Sequence, residues 1–296
     1  MSDVLGIDIG GSLIKAIVSS PDGTVRERAV EPSPVAEGPE PTLERVVELA
    51  RRLRDVHPFR CVGLGICGPV DHANGGVSSS PILPGWGDVA LVKPLVDRLE
   101  MPVCLENDAA CAILGEWWLG SGEGRPIVAG LTLGTGIGGG LVIEGDIYRG
   151  SGSWGAEFGH VAVADGPPCP CGGSGCVNEL ASVTATLKRY RQLSGVEIDD
   201  FEELLRRSGS GQDDASEALR VSVDYLSRAV RTLLNALNPD VFVLAGGMAQ
   251  WGDSLRQAVQ SQIQGTTFAG LDRTPIHVAR LGLFSGATGA ARLATS

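Results

Sequence analysis

Two stretches of this chain share one layout. VLGIDIGGSLIKAIVSSPDG (4–23) and IVAGLTLGTGIGGGLVIEGDIY (127–148) each read as strand, glycine loop, strand and turn. The turns fall at Asp22-Gly23 and at Glu144-Gly145. The first unit continues into a proline-rich loop, EPSPVAEGPEP, and then a helix with apolar residues at 43, 46, 47, 50 and 53. Strands over 61–67 and 101–107 follow, with a loop and a helix between them, and a helix begins in NDAACAILGEWWLG, capped by Asn107 or Asp108. The second unit runs on to a long amphipathic helix, SEALRVSVDYLSRAVRTLLNALN, a strand VFVLAGG (241–247), a last strand IHVARL and a last helix SGATGAARLA. Such repetition predicts a duplicated α/β unit with a cleft between the halves. With 42 glycines and only 5% aromatic residues, the composition suits it.

Three strand ends run into glycines: DIGGS (8–12), LGTGIGGG (133–140) and LAGGMA (244–249). Glycine lets consecutive N–H groups converge, and such nests bind phosphate without a basic side chain. Any one loop alone reads equally well as a tight hairpin. None is a Walker A loop, and none opens a helix as a dinucleotide fingerprint would. Together they predict one nucleotide held by Gly10, Gly11 and Ser12, by Gly134, Thr135 and Gly136, and by Gly246 and Gly247. Asp8 is placed to hold Mg²⁺ through water. Lys15 follows by alternation along its strand and could point to solvent.

The net charge is −11 with no long basic run, which argues against a nucleic-acid partner. No apolar run approaches the roughly 20 residues of a membrane span, and the start lacks a secretory signal, so a cytoplasmic protein is expected. Of seven cysteines, Cys61, Cys67, Cys104 and Cys111 sit in apolar surroundings and read as buried small hydrophobes.

The other three lie in GHVAVADGPPCPCGGSGCVNELAS (159–182). Cys-x-Cys-Gly-x-x-Gly-Cys with an upstream histidine offers soft thiolates and an imidazole, which suits tetrahedral Zn²⁺. A Cys171–Cys176 disulfide is the rival reading.

DIGGSLIK, GICGPVD, ENDAACAILGE, LTLGTGIGGGLV, GAEFGH, CPCGGSGC and LAGG, in this order, resemble the ROK family of sugar kinases and repressors. The resemblance implies a two-lobed actin-like, RNase H-like ATPase fold with a duplicated βββαβα-type core. It implies a smaller lobe over residues 1–107, joined by the C-terminal helix at about 284–296, and a larger lobe over 108–283 carrying a zinc knuckle. The family's repressors carry a DNA-reading domain before the first phosphate strand, which here starts at residue 4, so the enzymatic branch is expected.

On that resemblance Asp108 is the general base, with Asn107 beside it on the sugar hydroxyls. Gly68, Glu157, His160 and the loop 80–86 line the sugar site, and His160, Cys169, Cys171 and Cys176 hold a structural zinc. The spacing from His160 to Cys169 is one residue shorter than usual. Ile82 stands where the family often has asparagine; where the family has a glutamate that binds sugar hydroxyls, Asn178 is expected to hold the place as a neutral sugar-binding amide, with Glu179, one place late, as the alternative. The implied activity is ATP-dependent phosphorylation of the 6-hydroxyl of glucose or a glucose-like hexose, with Mg²⁺ accompanying ATP, by a homodimer. Kinases of an amino sugar (kanosamine or an N-acetylhexosamine) or a cyclitol are the alternative, and a non-catalytic sugar-sensing regulator is an alternative of another class.

Overall fold

The run DVLGIDI has no polar face, as a strand covered on both sides requires. In the computed structural model, which describes residues 2–80 and 83–295, it forms strand β1 (Asp3–Ile9) at the centre of a five-stranded sheet. Its neighbours are β2 (Leu13–Ser19), β3 (Val25–Pro32), β4 (Phe59–Ile66) and β5 (Val103–Asn107), in the order β3-β2-β1-β4-β5. The first three strands are antiparallel hairpins, and β4 and β5 run parallel to β1. Helix α1 (Pro39–Val56) precedes β4, α2 (Val92–Leu99) precedes β5, and α3 (Asp108–Leu119) follows it. Helix α1 begins inside the stretch read as a proline-rich loop. Proline at a helix start lacks only an N–H that would go unpaired there, and the Thr42 hydroxyl donates back to the Gly38 carbonyl at 2.8 Å.

The second unit repeats the order. Strands β6 (Ile127–Leu133), β7 (Ile137–Ile143) and β8 (Asp146–Ile147) are followed by helices α4 (Val177–Ala181), α5 (Val183–Ser194), α6 (Phe201–Gly209) and α7 (Asp213–Leu237). Then come β9 (Val241–Ala245), α8 (Asp253–Ile263), β10 (Ile276–Val278) and α9 (Ser285–Leu293). The sheet reads β8-β7-β6-β9-β10, the same sequence of neighbours as in the first. Helices α5, α6 and α8 have no counterpart in the motifs read above. Strand β10 is half the expected length, because the N–H groups of Arg280 and Leu281 turn to the carboxylate of Glu116 instead of a ladder. Among the described residues no helix is long and apolar enough to cross a membrane.

By contact the chain divides into unit 1 (residues 1–126, 140–156 and 280–296) and unit 2 (127–139 and 157–279). Within unit 1, α9 lies so close to its neighbours that glycines replace side chains at the crossing points. A Cβ on Gly63 would sit 1.7 Å from the Ala290 carbonyl oxygen, one on Gly6 2.1 Å from that of Ala287, and one on Gly289 1.7 Å from that of Cys111. These are backbone atoms, so no rotamer change relieves them.

Gly289→Ala is therefore expected to destabilise the protein by roughly 3 kcal/mol, the upper part of the usual overpacking range. Gly209→Ala, at a helix end with open space around it, should be neutral or slightly stabilising. Urea unfolding of both variants checks the contrast, and equal stabilities would contradict this packing.

Candidate active site

Unit 1 brings Asp8, Lys15, Gly68, Asn107 and Asp108 to one edge of four adjacent strands, β2, β1, β4 and β5. Asp8 and Lys15 are directly opposed across the β1–β2 hairpin, so their side chains share a face. The Lys15 ammonium lies 3.0 Å from Asp8 Oδ2. Lys15 thus points at the site and not to solvent. Burial pushes the Asp8 carboxyl upward, against the pull of Lys15. Gly10 closes the hairpin by donating its N–H to the Leu13 carbonyl, while Gly11 and Ser12 are exposed.

Helix α3 starts one residue after β5 ends, and the cap is Asn107. Its Oδ1 accepts the N–H groups of Ala109 at 2.9 Å and Ala110 at 3.1 Å, and its Nδ2 donates to the Gly68 carbonyl at 3.3 Å. Capping by Asn107 releases Asp108 from that duty. Its Oδ1 accepts only the short contact from Ala109 N–H at 2.8 Å. Burial first, and then the charge of Asp8, push its carboxyl up to about 7, while Ala109 N–H and Lys15 pull it down. A carboxyl in that range exchanges its proton near neutrality.

Glu106, one residue earlier, is a buried acid that no motif singled out. Its Oε2 accepts from Arg149 Nε at 2.6 Å, its Oε1 from Asn107 N–H at 2.9 Å, and His72 Nε2 lies 3.4 Å away. Burial is the largest single influence and would raise its pKa, but His72, Asn107 N–H and Arg149 together hold it below the usual value. Glu106 therefore stays ionised and fixes the strand end that carries Asn107 and Asp108. A charged residue in an otherwise apolar strand was the available signal.

In unit 2 the loop at Gly134–Gly136 is tied down from α4 and α5. Val183 N–H donates to the Gly134 carbonyl at 2.9 Å and Thr184 Oγ1 to that of Thr135 at 2.8 Å. Ile137 N–H donates to Asn178 Oδ1 at 2.7 Å. Asn178 Nδ2 in turn donates to Glu179 Oε1 at 2.7 Å, so the amide bridges the glycine loop and the neighbouring acid. Gly246, at φ +88°, packs on the end of β6, and a Cβ there would meet the Leu133 carbonyl oxygen at 2.6 Å. Gly247 has open space around it. Glu157 and His160 bracket a tight turn, with His160 N–H donating to the Glu157 carbonyl at 3.0 Å. Gly159 between them touches the Ile137 backbone, where a Cβ would come within 1.8 Å.

The cysteine segment folds so that four donor atoms come together in a group that could hold a metal ion. The ligand atoms of His160, Cys169, Cys171 and Cys176 all lie within 4.8 Å of one another. His160 Nδ1 is 3.3 Å from Cys169 Sγ, and Cys171 Sγ is 3.7 Å from Cys176 Sγ. With metal–sulfur bonds of about 2.3 Å a tetrahedron has edges of about 3.8 Å, so the donor set fits a soft divalent ion. All seven cysteines are free, and Cys171 and Cys176 form no disulfide. Gly172 and Gly175, at φ +92° and +68°, make the tight turns that bring the thiols together. Of the four cysteines expected to be buried, only Cys111 is fully so; Cys61, Cys67 and Cys104 are partly exposed. Ile82 lies outside the described residues, and of the loop around it Leu83 packs against Gly68.

Two sheets of one strand order, with glycine turns at their strand ends, define an actin-like ATPase fold. The chain matches the ROK family over residues 4–296 and belongs to it. It is 35% identical over 266 residues to a glucokinase from Thermotoga maritima, across 85% of this chain and 84% of that protein. It is 31% identical over 294 residues to a kanosamine kinase from Amycolatopsis mediterranei, across 98% and 95%. A crystal structure of a ROK family glucokinase from Streptomyces griseus in complex with glucose and AMPPNP is similar at TM-score 0.87 and 27% identity, over 99% of each chain.

The charges around Asp108 give a direct prediction. Its carboxyl should titrate near pH 7 by NMR, and Lys15→Met should move that titration to higher pH, because the ammonium favours the ionised form. Being raised, this group contributes stability that is present below about pH 4 and lost as pH rises through about 7. Asp108→Asn should flatten that part of the pH–stability curve.

Proposed function

We propose that the protein is an ATP-dependent kinase that phosphorylates the 6-hydroxyl of glucose or a glucose-like hexose. The carrying observation is Asp108: a carboxyl raised to about 7, at a strand–helix junction, with capping delegated to Asn107. Its relatives' names, a glucokinase and a sugar kinase of an amino sugar, support the class.

In the reaction, ionised Asp108 takes the proton of the sugar hydroxyl as its oxygen attacks the γ-phosphorus. The bond from that phosphorus to the bridging oxygen breaks, and ADP leaves with the electron pair. The glycine turns at 10–12, 134–136 and 246–247 offer N–H groups to the phosphates. Mg²⁺ would be held beside Asp8, through water, and would neutralise phosphate charge. Lys15 offsets part of the burial that raises the Asp8 carboxyl and so favours its ionised form. Glu157 and His160 grip ring hydroxyls. Asn178 serves the sugar by aiming Glu179, whose second oxygen takes the place of the family's acid. A carboxylate at position 178 would face Glu179 instead of donating to it, so Asn178→Glu is not expected to improve glucose binding.

The metal is zinc, held by His160, Cys169, Cys171 and Cys176, in a role that is structural because four protein ligands close the coordination sphere. Holding the His160 ring would also set its orientation toward the sugar. Free thiols in this number fit a reducing cytoplasm, and a homodimer is the expected assembly. An amino-sugar kinase is the second reading, favoured by the kanosamine kinase relative and by an amide where the family has an acid.

Asp108→Asn should keep the fold and lose 10²-fold or more in kcat. In the wild type, kcat/KM should fall below about pH 7, as the base protonates. A coupled assay over glucose, kanosamine, N-acetylhexosamines and cyclitols separates the sugar readings, and near-normal kcat in the variant would remove Asp108 from the mechanism. Separately, protein purified without chelator should contain about one zinc per chain, and Cys171→Ser should lower both metal content and thermal stability. Metal-free protein of unchanged stability would overturn that assignment.

A further inference from the structure

Helix α7 carries a feature the kinase reading does not use. Asp224 stands three and four residues before Ser227 and Arg228, and Arg231 three and four after Arg228 and Ser227, so the four share one face. With Val163, Gln262, Ile263 and Thr266 they line a half-open cavity of about 330 Å³, within unit 2. That volume is at the lower end for small-molecule sites. None of these residues is in the phosphate turns, among the sugar residues or a metal ligand, although Val163 lies on the segment that carries the ligands.

The polar groups are unevenly satisfied. Ser227 is 3% exposed, lines the cavity, and its hydroxyl has no hydrogen-bond partner among the described residues. A buried hydroxyl without a partner carries a desolvation cost that a bound group would relieve. Arg231 makes no ion pair or hydrogen bond within the described chain, although it stands on the wall of the same cavity. Arg228 is fixed differently. Its Nη2 donates to Asp224 Oδ2 at 2.7 Å, and its guanidinium lies 5.4 Å from the centre of the Tyr225 ring. It is pre-oriented, with further N–H groups to offer. Thr266 is committed, its hydroxyl donating to the Ile263 carbonyl at 2.7 Å.

Two guanidiniums against one carboxylate leave the cavity positive in a chain of net charge −11. A second basic hollow, at Arg51, Arg54 and Arg98, differs in that its cations are already spent. Arg51 and Arg54 donate to the carbonyls of Arg98 and Leu99, and Arg98 pairs with Glu40. Guanidinium forks match the oxygens of a phosphate, and the cavity exceeds what a lone phosphate fills. Asp224 and Gln262 add an acceptor and a two-way amide suited to hydroxyls.

We propose that this cavity is a binding site of its own, taking a phosphate monoester of a small polyhydroxy compound. Arg228 and Arg231 hold the phosphate, Ser227 bonds it from the floor, and Asp224 and Gln262 read the hydroxyls.

Calorimetric titration of the full chain with glucose 6-phosphate, with glucose and a non-hydrolysable ATP analogue already saturating, tests it. A binding isotherm is expected, weakened tenfold or more in Arg231→Gln and several-fold in Ser227→Ala. Inorganic phosphate should bind more weakly than the sugar phosphate. Without any monoester, Ser227→Ala should be no less stable than wild type, and both variants should keep the kcat and KM of the parent. No isotherm, or one that both variants share unchanged, would overturn the site. Equal affinity for inorganic phosphate would overturn its reading of a sugar-like body. Activity of the parent in the same preparation keeps this outcome separate from any failure of the kinase reading.

Discussion

Backbone-to-backbone contact around α9 is the constraint on which unit 1 depends. The helix reaches β1, β4 and α3 only because Gly6, Gly63 and Gly289 leave out the side chains that would hold the elements apart. Gly286 lets it approach Asp8 as well, since a Cβ there would meet the Asp8 carboxyl at 2.7 Å. The return of the chain to this position is fixed by Glu116, a fully buried carboxylate. It accepts from the N–H groups of Ser121, Arg280 and Leu281 and from the Ser285 hydroxyl. Removing that acid would take away the acceptor of three backbone N–H groups, while the Ser285 hydroxyl would keep the Gly282 carbonyl at 3.0 Å. Strands β1, β4 and β5 and the start of α3 are thus held in one block, and the two carboxylates Asp8 and Asp108 inherit their separation from it.

Within that block the charges divide the labour. Glu106 is buried but surrounded by Arg149, His72 and a backbone N–H, so it remains ionised and structural. Asp108, two residues on, has one backbone donor and a second carboxylate as neighbour, so its proton is held more tightly. Adjacent acids on one short stretch therefore acquire opposite pKa shifts from their surroundings alone. Lys15 moderates the second case by pairing with Asp8. Without it, two carboxylates would face each other with little to offset their repulsion.

The duplicated order of the two sheets was legible, because a strand covered on both faces and a glycine turn leave signatures in residue type alone. The cysteine and histidine donors were legible for the same reason, since few other roles demand three thiols and an imidazole at that spacing. Helices α5, α6 and α8 were not. Their apolar faces are short, and polar residues at their ends match loop composition as well as helix caps. The direction of Lys15 was open in the sequence because alternation was counted along one strand, whereas it is set by register across the hairpin. Glu106, Glu116 and Arg149 were missed because their importance lies in partners between 43 and 169 residues away, which no local window contains.

Asn178 shows how a departure from a family pattern can be internally consistent. An acid at that position could accept the Ile137 N–H but could not donate to Glu179. An apolar residue could do neither. The amide does both, binding the glycine loop through oxygen and the adjacent carboxylate through nitrogen. The glycine loop at 134–136 and the acid that stands next to the cysteine segment are thereby joined through a single side chain. Gly159 adds a second link, since its backbone lies against Ile137 from the turn that carries Glu157 and His160. The Gly159 link is backbone against backbone and has no rotamer to give, whereas the Asn178 link is a side chain held at both ends by hydrogen bonds.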